Sequence, residues 1–388
     1  MSPRGRLLVA LASTTVVGYI ALGSLLGRVM GDSTYGQLAL FNEVVRLVVE
    51  NYVEPVNVDR AMAGARLGLT EALDGDSAYL DSEEFLAWQQ PVSEMDADVG
   101  LLLTRRFGFL MVVAPRAGSP AEKAGVKAGD IVKSIDGRHT RPLAAPVGHR
   151  LLRGAPGSLV KLAILRAGSE PVELEVVRER LSPAPPRGRL LAGNAGYLRV
   201  PELTARAAED VRAELETLRR AGARSLVLDL RGAAFGAPAD GVKLAELFLK
   251  GGVVAKLAGS KVPEEVLTAD PARAAWDLPM AALVDRGTAG GAELVAAALL
   301  ESGRSEVVGQ RTFGRAPLQR AVGLPEGGMV VTVAKYLTPQ GKPIHGRGVE
   351  PSVAVEEPDE DEATEPGRDL VLDRALELLS RPAQKKAA

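Results

Sequence analysis

The stretch MAALVDRGTAGGAELVAAALLESG, residues 280–303, decides the fold. Its first five residues are all apolar, as a strand covered on both faces requires. Asp285, Gly287 and the pair Gly290-Gly291 then make a tight turn, and from about Gly291 a helix runs out of it. A strand feeding a helix through such a turn is the unit of a layered α/β core. It is also where enzymes often place a nucleophile. Here the turn offers Thr288 and then two glycines, with no serine or cysteine at the helix start.

Working outward, residues 190–345 alternate strand and helix. GYLRV, SLVLDLRG, MAALVD, EVVGQ and MVVTVAKYLT read as strands. TARAAEDVRAELETLRRAG, GVKLAELFL and AELVAAALLESG read as helices, the first with Thr204 as N-cap and Gly222 near its end. Residues 96–180 have a different texture. Short β runs (VGLLL, FLMVV, DIVKSID, LVKLAILR, VELEVVRE) are separated by Gly, Pro and Asp turns and interrupted by two short helical pieces, SPAEKAG and AAPVGHRLLRG. That pattern predicts a compact β domain.

Towards the N-terminus, Phe41, Val44, Val45, Val48, Val49 and Tyr52 fall at helical spacing, VEPVN at 53–57 breaks the helix, and a second helix covers about Arg60–Leu73. LDGDSAYLDSEEF, 73–85, reads as a turn followed by a segment capped by Asp81. Arg4 and Arg6 precede 21 uncharged residues, 7–27. A helix of that length spans roughly 30 Å, about one hydrocarbon core. It exceeds the roughly 7–15 apolar residues of a cleavable signal peptide, and no clear A-x-A site follows. A retained anchor is therefore expected over 1–30, with its arginines on the cytoplasmic side. Residues 356–365 hold seven acids and read as a solvated linker, before an amphipathic helix, Leu370–Leu379, and a basic tail.

Composition narrows the chemistry. The 388 residues carry a net charge of −2 and include seven Phe, six Tyr and two Trp, which argues against a nucleic-acid binder. The absence of cysteine removes disulfides, thiolate metal sites and cysteine catalysis. The three histidines, His139, His149 and His345, are too scattered for a metal cluster or a Ser-His-Asp triad. No metal or cofactor is expected.

Within the β block, SPAEKAGVKAGDIVKSIDGRHT, 119–140, resembles the SPAxKAGxxxGDxIxxIDG signature of PDZ domains. The resemblance implies that Asp98, Val99, Gly100 and Leu101 form the loop that receives a peptide carboxylate, the peptide then adding to a sheet edge. FNEVVRLVVENYVEP, LDGDSAYLDSEEF, the PDZ block, LVLDLRG, GTAGGAELVAAALLESGRSEVVGQRTFGR and AKYLTPQGKPIHGRGVEP occur in one order over about residues 40–352. Together they resemble the carboxyl-terminal processing, or tail-specific, protease family. The fold class expected is mixed α/β and multidomain: anchor 1–30, helical segment 31–95, PDZ domain 96–181, protease-like core 182–355, acidic linker 356–369, C-terminal helix and tail 370–388.

The resemblance also implies a serine nucleophile, a lysine base and a supporting glutamine, a recognised alternative to the histidine triad. Residue by residue, the nucleophile pattern G-[ST]-A-S-A-[SA]-E falls on Gly287–Glu293 and places Gly290 where the serine stands. TFGK falls on Thr312–Arg315 and places Arg315 where the lysine stands. The glutamine is kept as Gln319. Glycine cannot attack a carbonyl, and a guanidinium of pKa above ~12 cannot act as base near neutrality. Loss of a serine nucleophile alone costs on the order of 10⁶ in kcat. The family's LDLRxNPGG has become LDLRGAAFG at 228–236. Thr288 is allowed as a structural residue by the pattern. Ser302 and Ser305 lie at the far end of the helix, about 17 Å away at about 1.5 Å per residue. Lys335 and Lys342 read as surface lysines, with an approach to the cleft as the alternative, and His345 reads as a surface residue. Arg315 has two readings, an ion pair with an acid or a bidentate clamp on a peptide carboxylate.

These readings lead to one expectation: an exported pseudoprotease in a bacterial inner membrane, its bulk periplasmic. It would bind protein C-terminal peptides as scaffold or regulator of an active protease or envelope protein. Homologous folds assemble into dimers or larger cages. Two alternatives stand beside it: a serine-type endopeptidase with a non-standard nucleophile, and a structural role in which the PDZ block is only a packed subunit contact.

Overall fold

The computed structural model describes residues 35–90, 97–356 and 368–380. The expected anchor, 1–30, lies outside these. Among the described residues no helix is long and apolar enough to cross a membrane. The chain divides into two units, Met1–Ala65 and Arg66–Ala388. In the first, residues 35–51 form the helix expected from the spacing. Arg46 pairs there with Glu50 at 2.7 Å and also with Glu43, one turn away on either side.

The second unit is built on three sheets. A parallel sheet runs in the order Val353–Ala354, Glu306–Gly309, Met280–Val284, Ser225–Asp229, Ala195–Arg199, closed by the antiparallel strand Arg187–Leu190. Met280–Val284 is buried at every position. One face is covered by the helix Gly291–Glu301, the other by Leu370–Ser380, whose Val371 and Ala375 pack on Val227, Leu283 and Val308. A strand with apolar neighbours above and below has no polar side to show, hence the unbroken apolar run.

A second, antiparallel sheet contains Ala78–Leu80, Gly327–Leu337, Val253–Gly259 and Val262–Thr268, with Pro317–Leu324 paired to Gly327–Leu337. Val254, Leu257, Ala334 and Tyr336 share the core of the helix Gly291–Glu301. That helix is thus sandwiched between two sheets, which explains why residues 291–299 are buried all round it.

The PDZ block is a six-strand antiparallel sheet, ordered Leu101–Arg106, Phe109–Pro115, Ile131–Ile135, Leu159–Leu165, Val172–Val177, with Arg138–His139 paired to Ile131–Ile135, and has its own core around Leu103, Leu110, Ile135 and Leu162. Leu101–Arg106 is an edge strand, and the helix Ala145–Leu152 packs beside it. The Asp81 cap is present as a capping box with Glu84, starting the helix Ser82–Gln89. Sequence reading did not mark Ala78–Leu80, Val253–Gly259, Val262–Thr268 or Pro317–Leu324 as strands. The pair Val262–Thr268 and Pro317–Leu324 is largely exposed and carries little alternation to read.

Candidate functional site

The site forms where the parallel strand Met280–Val284 meets the helix Gly291–Glu301. Gly290, at the junction, has φ +62° and ψ −124°, a backbone conformation that side chains of L-residues rarely adopt. Strained strand-to-helix turns of this kind expose nucleophiles in hydrolases. Glycine adopts the conformation without a Cβ penalty. A Cβ built on Gly290 meets only the Arg315 carbonyl oxygen, at 3.7 Å. The position therefore has room for a side chain and carries none. Gly291 differs, since a Cβ there would stand 2.8 Å from Leu203 Cδ1 and 3.1 Å from the Ala237 carbonyl oxygen.

The turn is braced from below by Glu293, fully buried one helical turn on. Its carboxylate accepts the N–H groups of Gly290 (3.0 Å), Gly314 (2.7 Å) and Arg315 (2.8 Å) and the Thr312 hydroxyl. Burial pushes this carboxyl above its ordinary value, while the four donors pull the other way. One acid thus ties the helix start to the segment Thr312–Arg315. In the sequence Glu293 stood out only as an acid in the first turn of the helix; its partners about twenty residues on left no signal.

Arg315 does not point a free guanidinium into the cleft. Its Nε donates to Asp76 Oδ1 at 2.8 Å, and the Asp76 side chain is only 4% exposed. Asp76 also accepts from the Thr104 hydroxyl at 3.2 Å. Gln319 Nε2 donates to the Asp76 carbonyl at 2.6 Å. Arg315 and Gln319 meet at Asp76, an aspartate that sequence reading left aside, while Gly290 stands beside the Arg315 carbonyl. Of the two readings of Arg315, the geometry gives the ion pair.

The other candidates resolve plainly. Thr288 is fully buried, its Oγ1 3.0 Å from the Leu230 carbonyl and 2.9 Å from Asp285 Oδ1 while it accepts the Asp285 N–H. It pins the turn and presents no hydroxyl. Ser302 and Ser305 bond to carbonyls of Leu299 and Met280 at the helix's far end. Lys342 pairs with Glu301 at 3.2 Å, again at that end. His345 corrects the sequence reading. Its side chain is 7% exposed and stands 3.7 Å from Asp74 Oδ2. The neighbouring glycines explain this: Gly346 donates to the Gly314 carbonyl, and Gly348 packs on Thr312, drawing the loop under the site.

The altered loop after Arg231 lies against the PDZ block. Phe235 packs in a small cluster with Val113, Ala114 and Ala289, with the Arg116 guanidinium 5.5 Å from its ring centroid. Arg116 is also bidentate to buried Glu202, both contacts at 2.7 Å. On the other side Arg106 stacks on Phe313 at 4.5 Å. The PDZ block is thereby fastened over the strand-to-helix turn.

The loop Asp98–Leu101 sits at the start of the edge strand. Gly100 has φ +83°, and a Cβ there would collide with Ser119 Cβ at 2.4 Å, so glycine is required. The Gly100 N–H, one of the donors expected to meet a peptide carboxylate, donates to Asp98 Oδ1 at 2.7 Å. Val99 is buried. A cavity of about 510 Å³ opens beside this loop, lined in part by Asp98, Gly100, Arg116, His149, Arg153 and Phe235. A second, of about 360 Å³, is lined in part by Asp76, Glu84, His149, Arg153, Arg315 and Gln319.

With this geometry in hand, comparison with known proteins is decisive. Residues 194–355 match the model of peptidase family S41, and residues 111–166 match a PDZ domain. The chain is 30% identical over 332 residues to the carboxy-terminal processing protease CtpA of Bacillus subtilis, covering 85% of this chain and 70% of that protein. The chain belongs to the carboxyl-terminal processing peptidases of family S41. A second relative, the carboxyl-terminal-processing protease of Synechocystis, is 36% identical over 279 residues, 70% of this chain and 65% of that protein. Among solved structures, the photosystem II D1 C-terminal processing protease superposes with a TM-score of 0.70 at 28% identity, over 82% of this chain and 92% of its own. This S41 chain thus keeps the family's scaffold, PDZ domain and strand-to-helix turn, with Gly290 at the turn's tip.

Proposed function

We propose that this S41 chain is a pseudoprotease: it holds protein C-terminal tails and does not cut them. The observation that carries the reading is the tip of the turn. Gly290 occupies a roomy position at positive φ with no hydroxyl, and Arg315, whose carbonyl stands beside it, has its guanidinium fixed to Asp76. Chemistry of the Ser-Lys kind needs an oxygen to attack and an amine that can lose its proton near neutrality. A guanidinium supplies neither.

What survives is suited to binding. The PDZ block retains an edge strand with a helix beside it and a cavity at the carboxylate loop, the arrangement used for strand addition. The apolar segment at 7–27 supports a membrane-anchored, extracytoplasmic location, with an active protease or an envelope protein as partner. The assay compares cleavage of a fluorogenic peptide by the wild type and by Gly290→Ser/Arg315→Lys. Wild type is expected at background and the double variant measurably above it. Wild-type turnover equal to that of the double variant would sink the proposal and favour an unrecognised nucleophile.

A further inference from the structure

The edge strand Leu101–Arg106 is the surface on which an incoming peptide would form its ladder, yet its outward row is already engaged. Alternate N–H groups face away from the neighbouring strand, and those of Leu103 and Arg105 are both taken from within the chain. The Leu103 N–H donates to His149 Nε2 at 2.8 Å, from the helix Ala145–Leu152. The Arg105 N–H donates to the Gly75 carbonyl at 3.0 Å. At the start of the strand the Gly100 N–H is held by the Asp98 carboxylate. From the start of the strand, a carboxylate, a side-chain nitrogen and a backbone carbonyl thus take the places of the acceptors that a peptide would bring.

We propose that His149 is a built-in surrogate ligand, and that a peptide docks on this edge only by displacing it from Leu103. The inference rests on the reading of the PDZ block as a peptide-binding groove and adds the regulation of that groove. Of the two contacts made within the strand itself, the one from His149 is made by a side chain and can be broken by turning it. The Gly75 carbonyl belongs to backbone with no space to move, since even a Cβ on Gly75 would lie 2.0 Å from the Arg105 carbonyl. The position of His149 fits a gate: it lines both cavities, the one beside the carboxylate loop and the one reaching Arg315 and Gln319. Turning the ring away would free the Leu103 N–H between them. The ring is well suited to accept: burial, with Arg315 and Arg153 nearby, pushes its pKa down to about 3 and keeps it neutral, and the Leu103 N–H selects the tautomer whose Nε2 is bare.

Replacing the acceptor should make docking easier by about the net value of one hydrogen bond, close to tenfold in Kd. The test uses the full-length chain in detergent and a fluorescein-labelled random decapeptide pool with free C-terminal carboxylates, read by anisotropy. His149→Ala is expected to bind the pool about tenfold more tightly than wild type. His149→Gln, which can still accept from Leu103, is expected to stay near wild type. Amide hydrogen exchange at Leu103 should quicken in His149→Ala and be slowed again by the pool. His149→Leu fills the same space without an acceptor. It should show the same fast exchange if the alanine variant does not fold. Equal affinity of wild type, alanine and glutamine variants would overturn the gate while leaving peptide docking intact. Absence of binding to every variant would overturn both the gate and the docking reading beneath it.

Discussion

Gly290→Ala tests whether the tip of the turn has the geometry on which everything else depends. At φ +62° and ψ −124° a residue with a Cβ is strained, at about 1–3 kcal/mol. No steric term adds to that, because the nearest atom to the new Cβ is 3.7 Å away. The expected loss is therefore about 2 kcal/mol. For a cooperative unit of roughly 150–250 residues this lowers Tm by about 4–8 °C. Gly291→Ala is the internal comparison. It has no unusual φ to pay for, but its Cβ lies 2.8 Å from Leu203 Cδ1 and 3.1 Å from a backbone oxygen, so its cost comes from overpacking, about 1–3 kcal/mol. The two variants differ in how a second change acts. Leu203→Ala should relieve Gly291→Ala and leave Gly290→Ala uncorrected. Calorimetry and urea melts on the four proteins decide it. An unchanged or raised Tm for Gly290→Ala would mean that the turn is not in this conformation and that a serine there would face no strain.

Three more predictions follow from the same contacts. Asp76 beside a lysine at position 315 would favour its ammonium form, so Gly290→Ser/Arg315→Lys/Asp76→Asn should cleave a fluorogenic peptide faster near pH 7–8 than the double variant does; equal rates would show that Asp76 does not control that base. His149 is neutral when folded and has an ordinary pKa near 6.5 when unfolded, so the unfolded chain alone takes up its proton as pH falls from about 6.5 to 3. Stability contributed by the neutral ring is complete above that window and lost within it, by about 2 kcal/mol between pH 7 and 5, and urea midpoints of His149→Gln should lack that share. Glu293→Gln sets an amide among four donors, leaving at least one unmet, and should cost about 1–3 kcal/mol with faster exchange of the Gly314 and Arg315 amides.

Much of this protein was legible in its linear order. Apolar runs at 226–228 and 280–284 reported strands covered on both faces, and the Asp81 cap reported a helix start, because period and capping are local properties. The turn at Gly290 was legible for the same reason: strand, glycines and helix are adjacent in the chain. What only the tertiary structure decided lies between distant segments. Asp76 reaches Arg315 across 239 positions, and Glu293 gathers amides from a loop some twenty residues on. His345 looked exposed by composition and is drawn inward by backbone contacts of Gly346 and Gly348. His149 stood out in the sequence only as one of three scattered histidines, and its meaning depends on which edge of which sheet its short helix lies beside. Sequence periodicity records how each segment meets solvent or core. It does not record which charges and donors from separate segments meet, because those pairings are fixed only when the layers pack.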